Sequence, residues 1–260
     1  MGLGKKVFMF LTHVMVGVLA AGTLALPTQD PVCTVNQFLT SLKVNHYPTH
    51  ALDNAELRKA IFAFHRHNVV QFARIETKNE LAMFLAHVFW ESGGLAHREE
   101  LACTLDSAGA QIDTLKHEYS SACFNRYGGH WQRKGKSKRN QRLYYGRGYI
   151  QLTWSYNYRA ASKDIFADEN VLLDHPERVA KEYKVAWLTA AWFWRTRVRK
   201  SCRNKPCPLR FGDTTRAING GLECGNGPFV DKAKKRYGMY KRICRVFGIT
   251  EPAKEQGCYS

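Results

Sequence analysis

Two glutamates on either side of a glycine turn are the residues of this chain best placed to do chemistry. Residues 84–100 read FLAHVFWESGGLAHREE. From Leu81 to Trp90 nearly every residue is apolar, and a helix that is apolar on all sides belongs inside a core. Gly93-Gly94 then stops it, as glycine commonly does at helix C-termini. Glu91 therefore falls in the last turn, where the negative end of the helix dipole disfavours a further negative charge. Phe84, Val88 and Trp90 add desolvation, and both effects favour the neutral acid, the form that a general acid needs. Nine positions on, Arg98-Glu99-Glu100 is wetter and has a cation alongside. One carboxyl in a dry site and one in a polar site is the pairing used to cleave glycosidic bonds. The structural alternative is a glutamate that merely ends a helix, solvated or paired with His87 one turn back.

The elements that must position these residues read as mostly helical. Cys33–His46 predicts a short helix, and Asp53-Asn54-Ala55-Glu56 a helix start. Pro176–Val198 carries Val179, Tyr183, Ala186, Trp187, Ala190, Ala191 and Trp194 at helical spacing, which predicts a second core helix with its tryptophans in the core. Asn157–Ile165, Arg210–Ile218 and Val230–Phe247 complete the helical set, the last two joined by the glycine-rich Asn219–Gly225. Gln111–Tyr119 reads as a brief helix or loop. Residues 143–154, LYYGRGYIQLTW, change texture toward extended chain and tight turns.

With 260 residues, 45% hydrophobic and 23% charged, the chain can build a sizeable core. A net charge of +17 favours acidic partners such as cell walls, anionic glycans or membranes. No nucleic-acid-binding fingerprint accompanies it, so no specific nucleic-acid partner is expected. Lys5-Lys6, the apolar Val7–Ala21 and the small residues at Thr23-Leu24-Ala25 read as a secretory leader over 1–25, followed by one domain over 26–260. A secreted, extracellular protein without stable membrane insertion is the expectation. Eight cysteines, at 33, 103, 123, 202, 207, 224, 244 and 258, fit disulfides in an oxidising compartment, with Cys202 and Cys207 able to close a local basic loop. Their spacing gives no pair of zinc knuckles. His65-x-His67 is read as structural, so no metal and no cofactor is expected. Arg133, Lys134, Lys136, Lys138, Arg139 and Arg142 crowd together, which is normally a solvated loop; docking to an anionic glycan is the functional alternative.

Several segments, in order, resemble the catalytic domain of glycoside hydrolase family 19, the plant-type chitinases. They are Glu91-Ser-Gly-Gly-Leu, Tyr144-Tyr-Gly-Arg-Gly-Tyr-Ile-Gln-Leu-Thr, Tyr156-Asn-Tyr, Ala186-Trp-Leu-Thr-Ala-Ala-Trp-Phe-Trp and Ile218-Asn-Gly-Gly-Leu-Glu-Cys-Gly. Tyr240-Lys-Arg-Ile-Cys244 and Cys258-Tyr259 also match. The resemblance implies a mainly α, two-lobed, lysozyme-like fold with a minor β component and a long cleft for β-1,4-linked N-acetylglucosamine. It implies inversion by single displacement, with Glu91 as acid and, nine residues on, Glu100 as base; Glu99 stands as the alternative if insertions shift the register. An inverting pair needs about 6.5–9.5 Å between carboxyls to admit a water, which a glycine turn can provide. Thr153 matches a serine that holds the attacking water. Gln151, Tyr156, Asn157 and Asn219 match substrate-contacting positions, and amides suit hydroxyl and acetamido groups by offering donor and acceptor. Glu223 and Arg236 match residues that tune the catalytic pair, and Cys224–Cys258 is the disulfide implied.

Two departures stand out: Trp90 replaces the histidine that usually precedes the acid, and Tyr149 replaces a common proline. A plant-type chitin-binding module ahead of Cys33 is not expected. The function expected is that of a secreted, monomeric endo-chitinase acting on chitin or chitooligosaccharides. A lysozyme-type peptidoglycan hydrolase and a catalytically weak glycan-binding defence protein are the alternatives.

Overall fold

The computed structural model describes residues 33–47, 54–128, 142–201 and 210–260. The expected leader, most of the basic run and the Cys202–Cys207 loop lie outside the described residues. The helices are α1 (Val35–Lys43), α2 (Asn54–Arg66), α3 (Val69–Ala73), α4 (Lys78–Ser92), α5 (Leu101–Thr104) and α6 (Ser121–Tyr127). They continue with α7 (Ser155–Phe166), α8 (Val171–Asp174), α9 (Arg178–Lys181), α10 (Tyr183–Phe193), α11 (Phe211–Glu223) and α12 (Val230–Val246). The minor β component is confined, among the described residues, to isolated bridges: Glu99 with Arg147, Leu105 with Gln111, and Arg147 with Leu152.

Helix α4 behaves as its composition requires. Thr77 caps it by accepting from the Glu80 amide at 3.0 Å, and Gly93 ends it in the left-handed region at φ 58°. Every residue from Glu80 to Phe89 is buried, because α4 runs through the main core and packs against α12. Full burial of a side chain such as Phe84 is worth about 1.5–3 kcal/mol, so this helix is fixed by its surroundings rather than by its own propensity. The core tryptophans each place an indole N–H: Trp187 donates to the Ala60 carbonyl, Trp192 to Asp164 and Trp194 to Glu80.

Two expectations need correction. The single helix expected over Pro176–Val198 is broken at Glu182, whose backbone is extended (φ −99°, ψ 115°), giving α9 and α10, and α10 ends in a π-helical turn over Trp194–Val198. The glycine-rich link expected after Ile218 is helical as far as Glu223, with a kink at Asn219 (φ −146°, ψ 35°). Apolar periodicity carries no mark of one extended residue, and glycine content does not forbid a helix that is packed from outside.

Two lobes follow from the packing. The main core gathers α1–α4, α7, α10, α11 and α12. A smaller cluster of Cys103, Cys123, Tyr127, Leu143 and Tyr145, with Tyr119, Phe124 and Trp154 against it, is stapled by the Cys103–Cys123 disulfide. The Cys224–Cys258 bridge is present as the family resemblance implied; it ties the C-terminal segment to the end of α11. That segment lies so close to α11 that a Cβ at Gly212 would stand 1.9 Å from the Glu255 carbonyl oxygen. Gly212→Ala is therefore expected to lower stability by about 1–3 kcal/mol through overpacking, as read by urea unfolding; an unchanged midpoint would mean that the C-terminal segment is not held there.

Candidate active site

The centre of the site is a buried guanidinium. Arg236, on α12, is 1% exposed. Its Nε and Nη2 donate to the two carboxylate oxygens of Glu223 at 2.7 and 2.8 Å, and Nη2 also donates to Glu91 Oε1 at 2.5 Å. Glu223 is as deeply buried, whereas the Glu91 side chain keeps 19% of its surface open. Burial works against the Arg236 cation, but the charges of Glu91 and Glu223 outweigh it and hold the pKa above its ordinary value. Asn219 Nδ2 donates to Glu223 Oε1 at 2.8 Å; the kink in α11 is at this residue.

His87 completes this arrangement in a way that the sequence did not signal. It does not pair with Glu91. It is fully buried, stacked on Phe211 with ring centroids 4.9 Å apart. The Thr214 hydroxyl donates to the Phe211 carbonyl at 2.6 Å, so it accepts from His87 Nε2–H at 2.7 Å. That tautomer turns the Nδ1 lone pair toward Arg236 Nη1, 3.4 Å away. Burial, then the Arg236 charge, push the histidine pKa well below its ordinary value and keep the ring neutral. Trp90 lies against the same guanidinium, 5.5 Å from ring centroid to Arg236 Cζ.

After the Gly93-Gly94 turn the chain pairs with residues 146–148. The Glu100 amide donates to the Gly146 carbonyl at 2.9 Å and the Gly148 amide to the Arg98 carbonyl at 2.8 Å. Glu100 Oε2 accepts from Tyr127 Oη at 2.7 Å and from the Gly146 amide at 3.3 Å, and Arg126 stands 3.5 Å from Oε1. Burial, followed by the hydrogen bond and charge of Glu100, raises the Tyr127 pKa and keeps that phenol a donor. Glu99 Oε1 accepts from Tyr145 Oη at 2.7 Å and Thr114 Oγ1 at 3.3 Å and lies 4.0 Å from Nε of buried Arg147. Arg147 itself covers the Tyr145 ring at 3.5 Å.

Gly146 brings Glu100 to the other expected residues. A Cβ there would lie 2.8 Å from Gln151 Oε1 and 3.4 Å from Glu100 Oε2, so both side chains border one glycine. Thr153 Oγ1 donates to the Gln151 carbonyl at 2.8 Å, which leaves its lone pairs to accept. Tyr156 is 61% exposed. Asn157 is buried, its amide donating to the Thr153 carbonyl and its oxygen accepting from Arg197, so it holds its neighbours in place.

A mostly helical, two-lobed body with one carboxyl held in each lobe is the arrangement of a lysozyme-like glycoside hydrolase. The profile of glycoside hydrolase family 19, described as chitinase class I, matches residues 72–258, and the chain belongs to that family. It is 38% identical over 174 residues to endochitinase CHI of Arabidopsis thaliana, covering 66% of this chain and 53% of that protein. It is 34% identical over 187 residues to endochitinase B of Zea mays, covering 72% and 55%. The chain thus spans about half the length of the curated relatives it matches. Among solved structures, chitinase C from Streptomyces griseus HUT6037 superposes with a TM-score of 0.57 at 25% identity, over 86% of this chain and 79% of that one. A bacterial family 19 chitinase gives 0.57 at 28%, over 87% and 100%.

A neutral buried histidine makes stability depend on pH with a fixed sign. Unfolded, His87 takes a proton below about 6.5; folded, it does so only at much lower pH. The unfolded state then binds more protons, so stability falls as pH drops through 6.5, by about 1 kcal/mol between pH 6.5 and 5.5 from this residue. Urea unfolding of the parent chain and His87→Gln at pH 6.5 and 5.5 should show that increment only in the parent. Equal slopes would place its origin elsewhere.

Proposed function

We propose that this protein is a secreted chitinase that cleaves internal β-1,4 bonds between N-acetylglucosamine units by inverting, single displacement. The observation that carries the reading is the division of labour between two carboxyls. Glu91 shares one buried cation with Glu223, and Glu100 is held by Tyr127 and Gly146 beyond the glycine turn. Glu223 is sealed in, whereas Glu91 keeps part of its surface open, so Glu91 is the carboxyl of the two that can reach the leaving glycosidic oxygen and give it a proton. Glu100, with acceptor capacity on a surface shared with Gln151, takes the proton of the attacking water. Glu99 is assigned to the scaffold, because its carboxylate answers the buried charge of Arg147.

Thr153 supports the same scheme, since a hydroxyl that donates to a backbone carbonyl still accepts from a water. Gln151 and exposed Tyr156 are the sugar contacts, Asn157 holds the Thr153 carbonyl in place, and Asn219 orients Glu223. The relatives named as endochitinases support the substrate class. Secretion is supported by the leader-like residues 1–25 and by two disulfides, which persist in oxidising compartments. No helix among the described residues is long and apolar enough to cross a membrane.

The test is product analysis on a hexamer of N-acetylglucosamine with anomers resolved. Immediate α-anomer products are expected from the parent protein, and Glu91→Gln or Glu100→Gln should lower turnover by about 10²–10⁴-fold each while circular dichroism shows the chain still folded. Products of retained β configuration, or full activity in pure Glu91→Gln, would sink the scheme. An untouched hexamer with release of sugar from purified bacterial wall would transfer the reading to peptidoglycan.

A further inference from the structure

A cavity of about 430 Å³ opens beside the site, lined in part by Tyr47 and Trp90, by Lys234, Lys235 and Arg242, and by Gly238. Its size falls within the roughly 300–1,000 Å³ of small-ligand sites. No carboxylate is among its lining residues. Lys234 has only a loose, exposed partner in Asp231 at 3.4 Å, the kind of ion pair that water readily replaces. Arg242 donates from Nε to Asn45 Oδ1 at 2.8 Å, which holds its planar head in place. Tyr47 is a half-buried phenol whose pKa burial pushes up to about 12 against the pull of Arg236 and Arg242, so it stays a neutral ring and donor facing two cations.

Gly238 is the second observation. It lies in the interior of α12, where glycine is disfavoured relative to alanine. A Cβ there would meet only Arg242 Nη1, at 3.6 Å, an ordinary contact. Neither packing nor a left-handed backbone calls for glycine at this position. Its missing side chain leaves bare the stretch of cavity wall that Gly238 lines. The cavity also adjoins the catalytic carboxyl: Trp90 precedes Glu91, and Arg236 touches both.

We propose that this cavity is a binding subsite for a sugar unit that carries an anionic group, with the rings of Tyr47 and Trp90 covering the sugar and Lys235 and Arg242 holding the anion. Aromatic faces suit the apolar face of a pyranose, and charge-assisted hydrogen bonds from guanidinium and ammonium are the strong ones. The assignment rests on the reading of the adjoining site as one that cleaves saccharides. A saccharide occupant is favoured over other anions because a ligand here lies next to the carboxyl that would act on the chain.

Binding is to be measured by calorimetry at physiological ionic strength in the full chain carrying Glu91→Gln, so that no ligand is cleaved. The probes are chitotetraose, a tetrasaccharide with a uronate unit and a tetrasaccharide with a sulfate ester. One anionic probe should bind about tenfold or more tighter than chitotetraose; which one identifies the group as carboxylate or sulfate. Lys235→Ala with Arg242→Ala should abolish that preference, and Gly238→Ala, which narrows the cavity without altering charge, should weaken it. Lys59→Ala with Lys116→Ala removes the same formal charge elsewhere and should keep it. Equal binding of all three probes, or equal loss in the Lys59 and Lys116 control, would overturn the subsite and leave a general effect of the +17 charge. Cleavage of the neutral hexamer by the parent protein is scored separately. An intact hexamer with the anionic preference retained would remove the chitinase reading and leave the subsite standing.

Discussion

The buried charge of Arg236 is the constraint around which the site is arranged. A guanidinium at 1% exposure loses its hydration, and such a loss is tolerable only with well-placed counter-charges and hydrogen bonds. Glu223 supplies two of them, Glu91 a third, and His87 a neutral acceptor. Removal of one partner from a buried ion pair typically costs about 3–5 kcal/mol, because the other charge is left uncompensated. The demand is mutual: α4, α11 and α12 cannot shift against one another without breaking it. Stability and the placing of Glu91 thus depend on the same atoms.

The second carboxyl has an independent support. Glu100 is held by Tyr127 and the backbone of Gly146, within a small cluster that carries its own disulfide. The main body positions Glu91 and this cluster positions Glu100. The turn at Gly93-Gly94, with both glycines at positive φ, joins the two. Tyr47 lies so near Gly94 that a Cβ would stand 2.3 Å from its ring. The turn therefore needs glycine there for conformation and for room, and the same tyrosine goes on to line the cavity on the Trp90 side.

The local argument from α4 was right about the helix and incomplete about Glu91. Helix end and apolar neighbours were both readable from residues 81–94, and both are present. The guanidinium that faces Glu91 comes from a residue 145 positions away, and no periodicity reports a contact of that separation. The alternative that paired Glu91 with His87 fails for the same reason: spacing allowed it, but Thr214 and Phe211, more than 120 residues on, are the neighbours of His87.

What the sequence determined by itself were features of short range: the buried helix and its glycine stop, the core tryptophans, and the order of motifs that marks the family. These depend on neighbours within a few positions, where residue type and spacing suffice. Tertiary structure alone gave Glu99 and Glu100, adjacent in the chain, their different partners, one the buried Arg147 and the other Tyr127. It also decided the break at Glu182, the pairing of Cys103 with Cys123, and the cavity behind Trp90. Each of these is set by which distant groups compensate a buried charge or fill a gap, and one strand of sequence does not carry that information locally.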